Sequence, residues 1–170
     1  MSVGFKILER MRYFIDVEGN TPTQEQPFTV ALREGHIGVE AEVIAYDSLG
    51  VALHGLTVWG DGREASLEAL AQTISRRVTY LWEPLALIER DLEREQVQMR
   101  SAPPLIEDKT VEYYEAMLTR QEGSPRIHMA RYRQQNGQTR RVRVPITLTH
   151  QVFRRLVDDL VTILRALETE

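Results

Sequence analysis

Cysteine is absent from the 170 residues, which excludes disulfides, thiolate metal centres and cysteine nucleophiles together. Lysine is nearly absent: Lys6 and Lys109 are the only two among 21 basic residues, so positive charge is carried by arginine. No apolar run approaches the roughly 20 residues of a membrane helix, so no membrane span is expected. The opening residues, Met1-Ser2-Val3-Gly4-Phe5-Lys6, contain no apolar signal core, and a cytoplasmic location is the default expectation. The four histidines, His36, His54, His128 and His150, lack metal-motif spacing. No glycine-rich phosphate loop or nucleophile elbow occurs; Trp59-Gly60-Asp61-Gly62 reads as a tight turn. The reading is therefore non-enzymatic, with no metal and no cofactor.

What is present is a globular composition, 42% hydrophobic and 27% charged, in about one domain's length of chain. The net charge of −4 argues against a generally basic nucleic-acid coat. Charge is unevenly placed, however. Between residues 119 and 143 stand seven arginines (Arg120, Arg126, Arg131, Arg133, Arg140, Arg141 and Arg143) against one acid, Glu122.

The chain reads twice. In the first half, Phe28–Arg33, Val39–Ala45 and Val51–Trp59 alternate as strands around turns at Gly35 and Gly50. Asp61 and Glu64 resemble a capping box, and Leu67, Leu70, Ile74, Val78 and Leu81 continue a helical stripe that Pro84 ends. In the second half, Thr110–Arg120, Arg126–Gln134 and Thr139–Leu148 read as strands, with Gly123 and Asn136-Gly137 in the turns. Thr149 then caps a helix carrying Phe153, Leu156, Val157, Leu160, Leu164 and Leu167.

Matching landmarks are evenly offset. Gly35 and Gly123 lie 88 residues apart, Gly50 and Gly137 lie 87 apart, and the caps Asp61 and Thr149 lie 88 apart. Upstream, Ile7-Leu8-Glu9-Arg10 echoes Leu87-Ile88-Glu89-Arg90, and a strand is expected after each, near Arg12–Val17 and Glu95–Ser101. The expectation is a single α+β domain over 1–170, made of pseudo-repeats at about 5–83 and 85–168. Each repeat would be a β-β-β-β-α unit, giving two antiparallel sheets, each followed by a packing helix. Val152, Leu156 and Ile163 widen the apolar arc of the last helix, which suggests either a second subunit against it, hence at least a homodimer, or a central core helix of a monomer.

A duplicated β4-α unit of this size resembles the Whirly family and its relatives, the single-stranded-DNA-binding transcriptional coactivators. The segment Val144-Pro145-Ile146-Thr147-Leu148-Thr149, running into an amphipathic helix, is similar to the last strand and helix of the coactivator unit. The Lys-Gly-Lys-Ala-Ala-Leu motif of plant Whirly proteins does not occur. The resemblance implies sheets whose outer faces take an extended single strand, and a role in transcription or DNA maintenance.

The residues themselves suggest where. A single strand needs a basic groove and flat rings. Arg126, Arg131, Tyr132 and Arg133 on one strand and Arg140, Arg141 and Arg143 on the next supply charge, with Tyr113 on a neighbouring strand. The expectation is that Arg131, Arg133, Arg141 and Arg143 project from one face, with Tyr132 or Tyr113 free to stack. A plainer reading has these arginines pairing with Glu112 and Glu115 on a solvated face, and Asp158-Asp159 as solvated charge. The rival function is a protein-interaction or assembly module, for which Trp59, Tyr80, Trp82 and the last helix would be anchors.

Overall fold

The computed structural model describes residues 1–60 and 65–167. Helix α1 (Val3–Arg12) opens the chain with Ser2 as its cap, and runs into a π-helical turn, Tyr13–Val17. Strands β1 (Phe28–Glu34), β2 (Ile37–Tyr46) and β3 (Gly50–Trp59) form a meander, followed by α2 (Leu67–Arg77). Then come β4 (Leu85–Asp91), β5 (Gln96–Ser101), the short β6 (Leu105–Glu107), β7 (Thr110–Gln121) and β8 (Ser124–Gln135). The chain closes with β9 (Arg141–Val144), β10 (Ile146–Thr149) and α3 (His150–Leu167).

The fold is α+β, as expected, but the two anticipated sheets are one. All ten strands belong to a single antiparallel sheet whose main order is β1-β2-β3-β8-β7-β5-β4. The join is the pairing of β3 with β8, Leu56–Trp59 against Met129–Arg126. The strand expected at Arg12–Val17 is helical instead. In the turns just before it, Val3, Ile7, Leu8 and Met11 are buried together, the mixed three- and four-residue spacing of a helix face, which an alternating strand cannot present to one side, and the helical backbone continues through Tyr13–Val17. The echo between Ile7-Leu8-Glu9-Arg10 and Leu87-Ile88-Glu89-Arg90 therefore joins a helix to a strand.

The sheet forks beyond the β3–β8 join. On one arm β10 pairs with the first half of β3, Ile146–Thr149 against Leu53–Gly50. On the other, β9 pairs with the second half of β8, Val144–Arg141 against Arg131–Gln134. One continuous segment thus leaves one arm and enters the other, turning the corner at Pro145, the residue that has no N–H to contribute to either ladder.

The three helices share one side of the sheet. Helix α1 packs on α3 and β1, α2 on β4 and β5, and α3 on β2, β3 and β10. Between them and the sheet lies one continuous core that includes Met11, Val39, Leu56, Ile74, Met99, Leu118, Ile127 and Phe153. The apolar arc of α3 is buried within one chain: Phe153, Leu156, Val157, Leu160, Val161, Ile163 and Leu164 are all covered. The core-helix alternative accounts for its width, and the reason for expecting a dimer contact through α3 falls away. Thr149 caps α3 as read, its Oγ1 accepting from the Val152 N–H at 3.2 Å. The side chain of Leu167 lies outside the described residues.

Two other helix readings shift. Asp61 and Glu64 lie outside the described residues, and the cap of α2 is Ser66, whose Oγ accepts from the Ala69 N–H at 3.3 Å. Helix α2 stops at Arg77 rather than Pro84, and Val78 and Leu81 enter the core from an irregular, bent segment. That segment is fastened by Tyr80, whose hydroxyl donates to Asp159 at 2.7 Å. Burial, reinforced by the bond to Asp159, pushes the Tyr80 phenol well above its usual range. Asp159 also accepts from Arg77 at 3.2 Å, and Asp158 accepts from the Gly4 N–H at 2.8 Å. This acidic pair therefore ties α3 to its neighbours and is not simply solvated charge.

Candidate nucleic-acid interface

With α1, α2 and α3 packed on one side, no helix among the described residues covers the opposite side of the sheet. Strand register fixes which residues share it. Across β1, β2, β3, β8 and β7 run Arg33, Gly38, Trp59, Arg126 and Thr119. The next row holds Glu40, Thr57, His128 and Met117. On the fork arm, Tyr132 stands between Tyr113 on β7 and Arg143 on β9. Because alternate residues on a strand share a face, Arg141 joins Arg143 there, and Arg100 joins through its pairing with Glu115.

The expected four-arginine face is thereby split. Arg131 pairs with Val144 and Arg133 with Val142, so both sit on the face of Ile127 and Met129, opposite Arg141 and Arg143. Arg131 is 6% exposed, its guanidinium 4.3 Å above the Tyr114 ring and its Nε donating to Glu112 at 3.1 Å. Arg133 reaches the same Glu112 at 3.2 Å from a solvated position. The plainer sequence reading holds for the pairing, Glu112 with Arg131 and Arg133 and Glu115 with Arg141, but not for a solvated face, since Arg131 and Glu115 are buried. Arg140 lies exposed between the Asn136-Gly137 turn and β9.

On the helix-free side, Arg141 donates to Glu115 at 2.7 Å and lies 3.7 Å above the Tyr132 ring. Glu115 is buried beneath it and takes its second bond from Gln98 at 2.5 Å. Arg143 donates to the Tyr132 hydroxyl at 3.3 Å. Tyr113 is 2% exposed under Arg100, whose guanidinium carbon is 4.2 Å from the ring centre. Tyr113 is therefore not free to stack on a base, contrary to expectation, because its faces are already occupied. At the other end Trp59 lies across Gly38, where any Cβ would fall 2.1 Å from the indole. Arg126 sits over that ring at 5.0 Å, with its buried Nε lacking a partner. Among the described residues neither Arg126 nor Arg143 pairs with a carboxylate.

His128, between these two arginines, was not anticipated. Its Nδ1 lies 2.9 Å from the Thr57 hydroxyl and its Nε2 3.5 Å from Arg143 Nη2. A guanidinium only donates, so Nε2 is the acceptor and Nδ1 carries the proton. Burial holds the His128 pKa below its usual value, and Arg143 and Arg126 push the same way against Glu42 and Glu115. For a base with a lowered folded value, the unfolded chain binds more protons between the two values, so stability is held above about pH 6.5 and lost as pH falls from there. The unfolding free energy is expected to fall from pH 7 toward pH 5, with part of that fall removed in His128→Gln. Urea melts across that range check this, and identical slopes in the two proteins would contradict it.

The stripe of Arg126, Arg143, Arg141 and Arg100 against buried Glu115 leaves an excess of positive charge in the middle of this face, while Glu40 and Glu42 make its β2 flank acidic. No three His, Asp or Glu side chains come together as metal ligands among the described residues. Compared with known proteins, the chain matches no family model, no curated protein and no solved structure.

Proposed function

We propose that the chain binds single-stranded nucleic acid, without catalysis, along the helix-free face over β8, β9, β7 and β5. The observation that carries this is the alternation of guanidinium groups with flat rings on a sheet face that no helix covers: Arg126 with Trp59, and Arg143 and Arg141 with Tyr132. Among the described residues Arg126 and Arg143 have no carboxylate to displace, so they are the phosphate-facing groups. Arg141 acts mainly as a strut that orients Tyr132. Acidic Glu40 and Glu42 would turn a polyanion away from β2, which favours a path along the second half of the chain. The resemblance to the Whirly family supports a strand lying on a sheet face. An old duplication is supported by the shared order of three strand segments and a helix in β1–β3 with α2 and in β7, β8, β9–β10 with α3.

The rival, an assembly module, draws on the exposed Trp82 and Ile106, 80% and 64% accessible. A fluorescently labelled oligo-dT separates the two. If the proposal holds, its anisotropy rises on adding protein at low salt, and log affinity falls linearly with log salt by roughly 0.7 per phosphate contact. No rise even at low salt would overturn the proposal in favour of the assembly module.

A further inference from the structure

Between the two arms of the sheet lies a cavity of about 310 Å³, at the small end of the roughly 300–1,000 Å³ typical of ligand sites. One wall is the β7–β8 face, with Glu112, Tyr114 and Arg131. The other is the Pro145 corner and Thr147, and Trp82 stands at the rim. Three features make this a built site rather than a surface dent.

First, Arg131 is more than nine-tenths buried and its Nη1 has no hydrogen-bond partner. Its ion-pair partner, Oε2 of Glu83, is 3.7 Å away and equally without a hydrogen bond. Both atoms are sealed from solvent, so this pair lies behind the cavity wall and holds the Arg131 guanidinium in place beside Glu112. Second, Glu112 stands beside Arg131 on the same wall, so a carboxylate acceptor adjoins a guanidinium donor. Third, Trp82 is 80% exposed although the indole is among the most readily buried of flat side chains. The charged residues that line it, Arg131 and Glu112, balance, so the cavity suits a neutral group rather than a phosphate or an amine.

We infer that this cavity takes one unstacked guanine base. The Watson–Crick edge of guanine places an acceptor, O6, beside two donors, N1–H and the N2 amino group. That order matches a guanidinium next to a carboxylate, with the carboxylate accepting both donors. Adenine offers a single donor beside a bare acceptor nitrogen, which would face the Glu112 carboxylate and repel it. Trp82 then stacks on the ring, as aromatic side chains do on bases freed from a strand. Thr147 adds a hydroxyl for the remaining polar edge. This inference rests on the nucleic-acid reading for its biological sense, but its site lies off the helix-free face and is tested apart from it.

The probes are free guanosine, inosine and adenosine, which carry no phosphate and so do not report on the arginine stripe. The reporter is Trp82 emission in Trp59→Phe protein, which leaves one tryptophan. Guanosine is expected to quench it saturably, with adenosine at least tenfold weaker and inosine, lacking the N2 amino group, between the two. Glu112→Gln is expected to abolish the preference for guanosine. Trp82→Ala, a change at an exposed side chain that leaves the fold intact, is expected to remove guanosine binding measured by calorimetry while leaving the salt-dependent affinity for oligo-dT unchanged. No saturable quenching by guanosine, or equal quenching by guanosine and adenosine, overturns the inference. Guanosine binding in a protein that ignores oligo-dT would leave the cavity standing and remove the helix-free face, so the two failures are distinguishable.

Discussion

Replacing Arg131 with alanine is expected to lower the unfolding free energy by about 3–5 kcal/mol, the cost of removing one partner from a buried charge group. The reason is local. Glu83 is 8% exposed and among the described residues its ion-pair partner is Arg131, while Glu112 would keep the solvated Arg133. The ring of Tyr114 would also lose the guanidinium 4.3 Å above it. Burial, the first cause, raises the Tyr114 phenol above its usual value, while Arg131 opposes that rise, so the hydroxyl would become still harder to ionise in the variant. For a domain of this length the loss corresponds to roughly 10 °C in Tm. Arg133→Ala is the control: it touches the same Glu112 but is 51% exposed, and should cost no more than about 1 kcal/mol. Urea titration with a shared slope for all three proteins gives both numbers. A loss below about 1 kcal/mol in Arg131→Ala would mean that the fork is held by its apolar contacts alone.

The double substitution Arg126→Ala/Arg143→Ala is expected to do the reverse, leaving stability nearly intact and weakening oligonucleotide binding. Both side chains are only half-buried, and neither neutralises an acid, so little of the fold depends on them. Two lost phosphate contacts should flatten the salt slope by about 1.4. A loss of about 2 kcal/mol, roughly thirtyfold in affinity at low salt, would accompany it. Removal of Arg143 also relieves the positive charge 3.5 Å from His128, so the imidazole should titrate closer to its ordinary value in the variant. Anisotropy titrations at four salt concentrations, with melts alongside, decide the matter. Unchanged affinity with an unchanged slope would place the phosphate contacts elsewhere.

The contrast between Arg131 and Arg143 also marks how far the sequence could be read. Strand positions were legible because alternation and turn glycines agree: Gly35, Gly123 and Gly137 all hold positive φ in the structure, and the strands begin and end within a few residues of them. The alternation of Val142, Val144, Ile146 and Leu148 places all four on one inward face; Val144, Ile146 and Leu148 are buried, but Val142 is 51% exposed, because β9 runs out along the far end of β8. What failed was the comparison between strands. In the β8–β9 ladder each partner pair has residue numbers of opposite parity, Tyr132 with Arg143 and Arg133 with Val142. Odd-numbered arginines on one strand therefore cannot share a face with odd-numbered arginines on the other. A slip of two residues in the turn would not have changed that, whereas a slip of one would have reversed it. The apolar neighbours Ile127 and Met129 carried the correct signal, because they share alternation with Arg131.

Other elements were out of reach for different reasons. The pairing of β3 with β8 joins residues about 70 apart, and nothing local in either strand announces its partner. The sequence marks Trp82 only as an anchor for a protein interaction and carries no sign that Glu83 reaches Arg131, a pairing that depends on the folded path before Pro84. Helix α1 was missed because an echo with a later strand was given more weight than its own four-residue period. His128 looked like any strand histidine, and its place between Arg143 and Thr57 depends on a register that alternation alone does not supply.

The position of α3 has a consequence for the chain as it is made. The meander of β1, β2 and β3 is complete by Trp59, yet the helix that covers β2 and β3 does not begin until His150. At about 5–20 residues per second, several seconds separate the synthesis of the third strand from that of its cover. Throughout that interval Leu53, Leu56 and Val58 have no α3 to lie against, and the first half of β3 has no β10 along its edge. The meander thus spends its early life as an open apolar surface with a free strand edge, the state in which β-rich chains associate with one another. A holding chaperone, or slow adjustment of translation within the second half, would act on this interval, and expression yield should respond to the rate at which residues 60–150 are delivered.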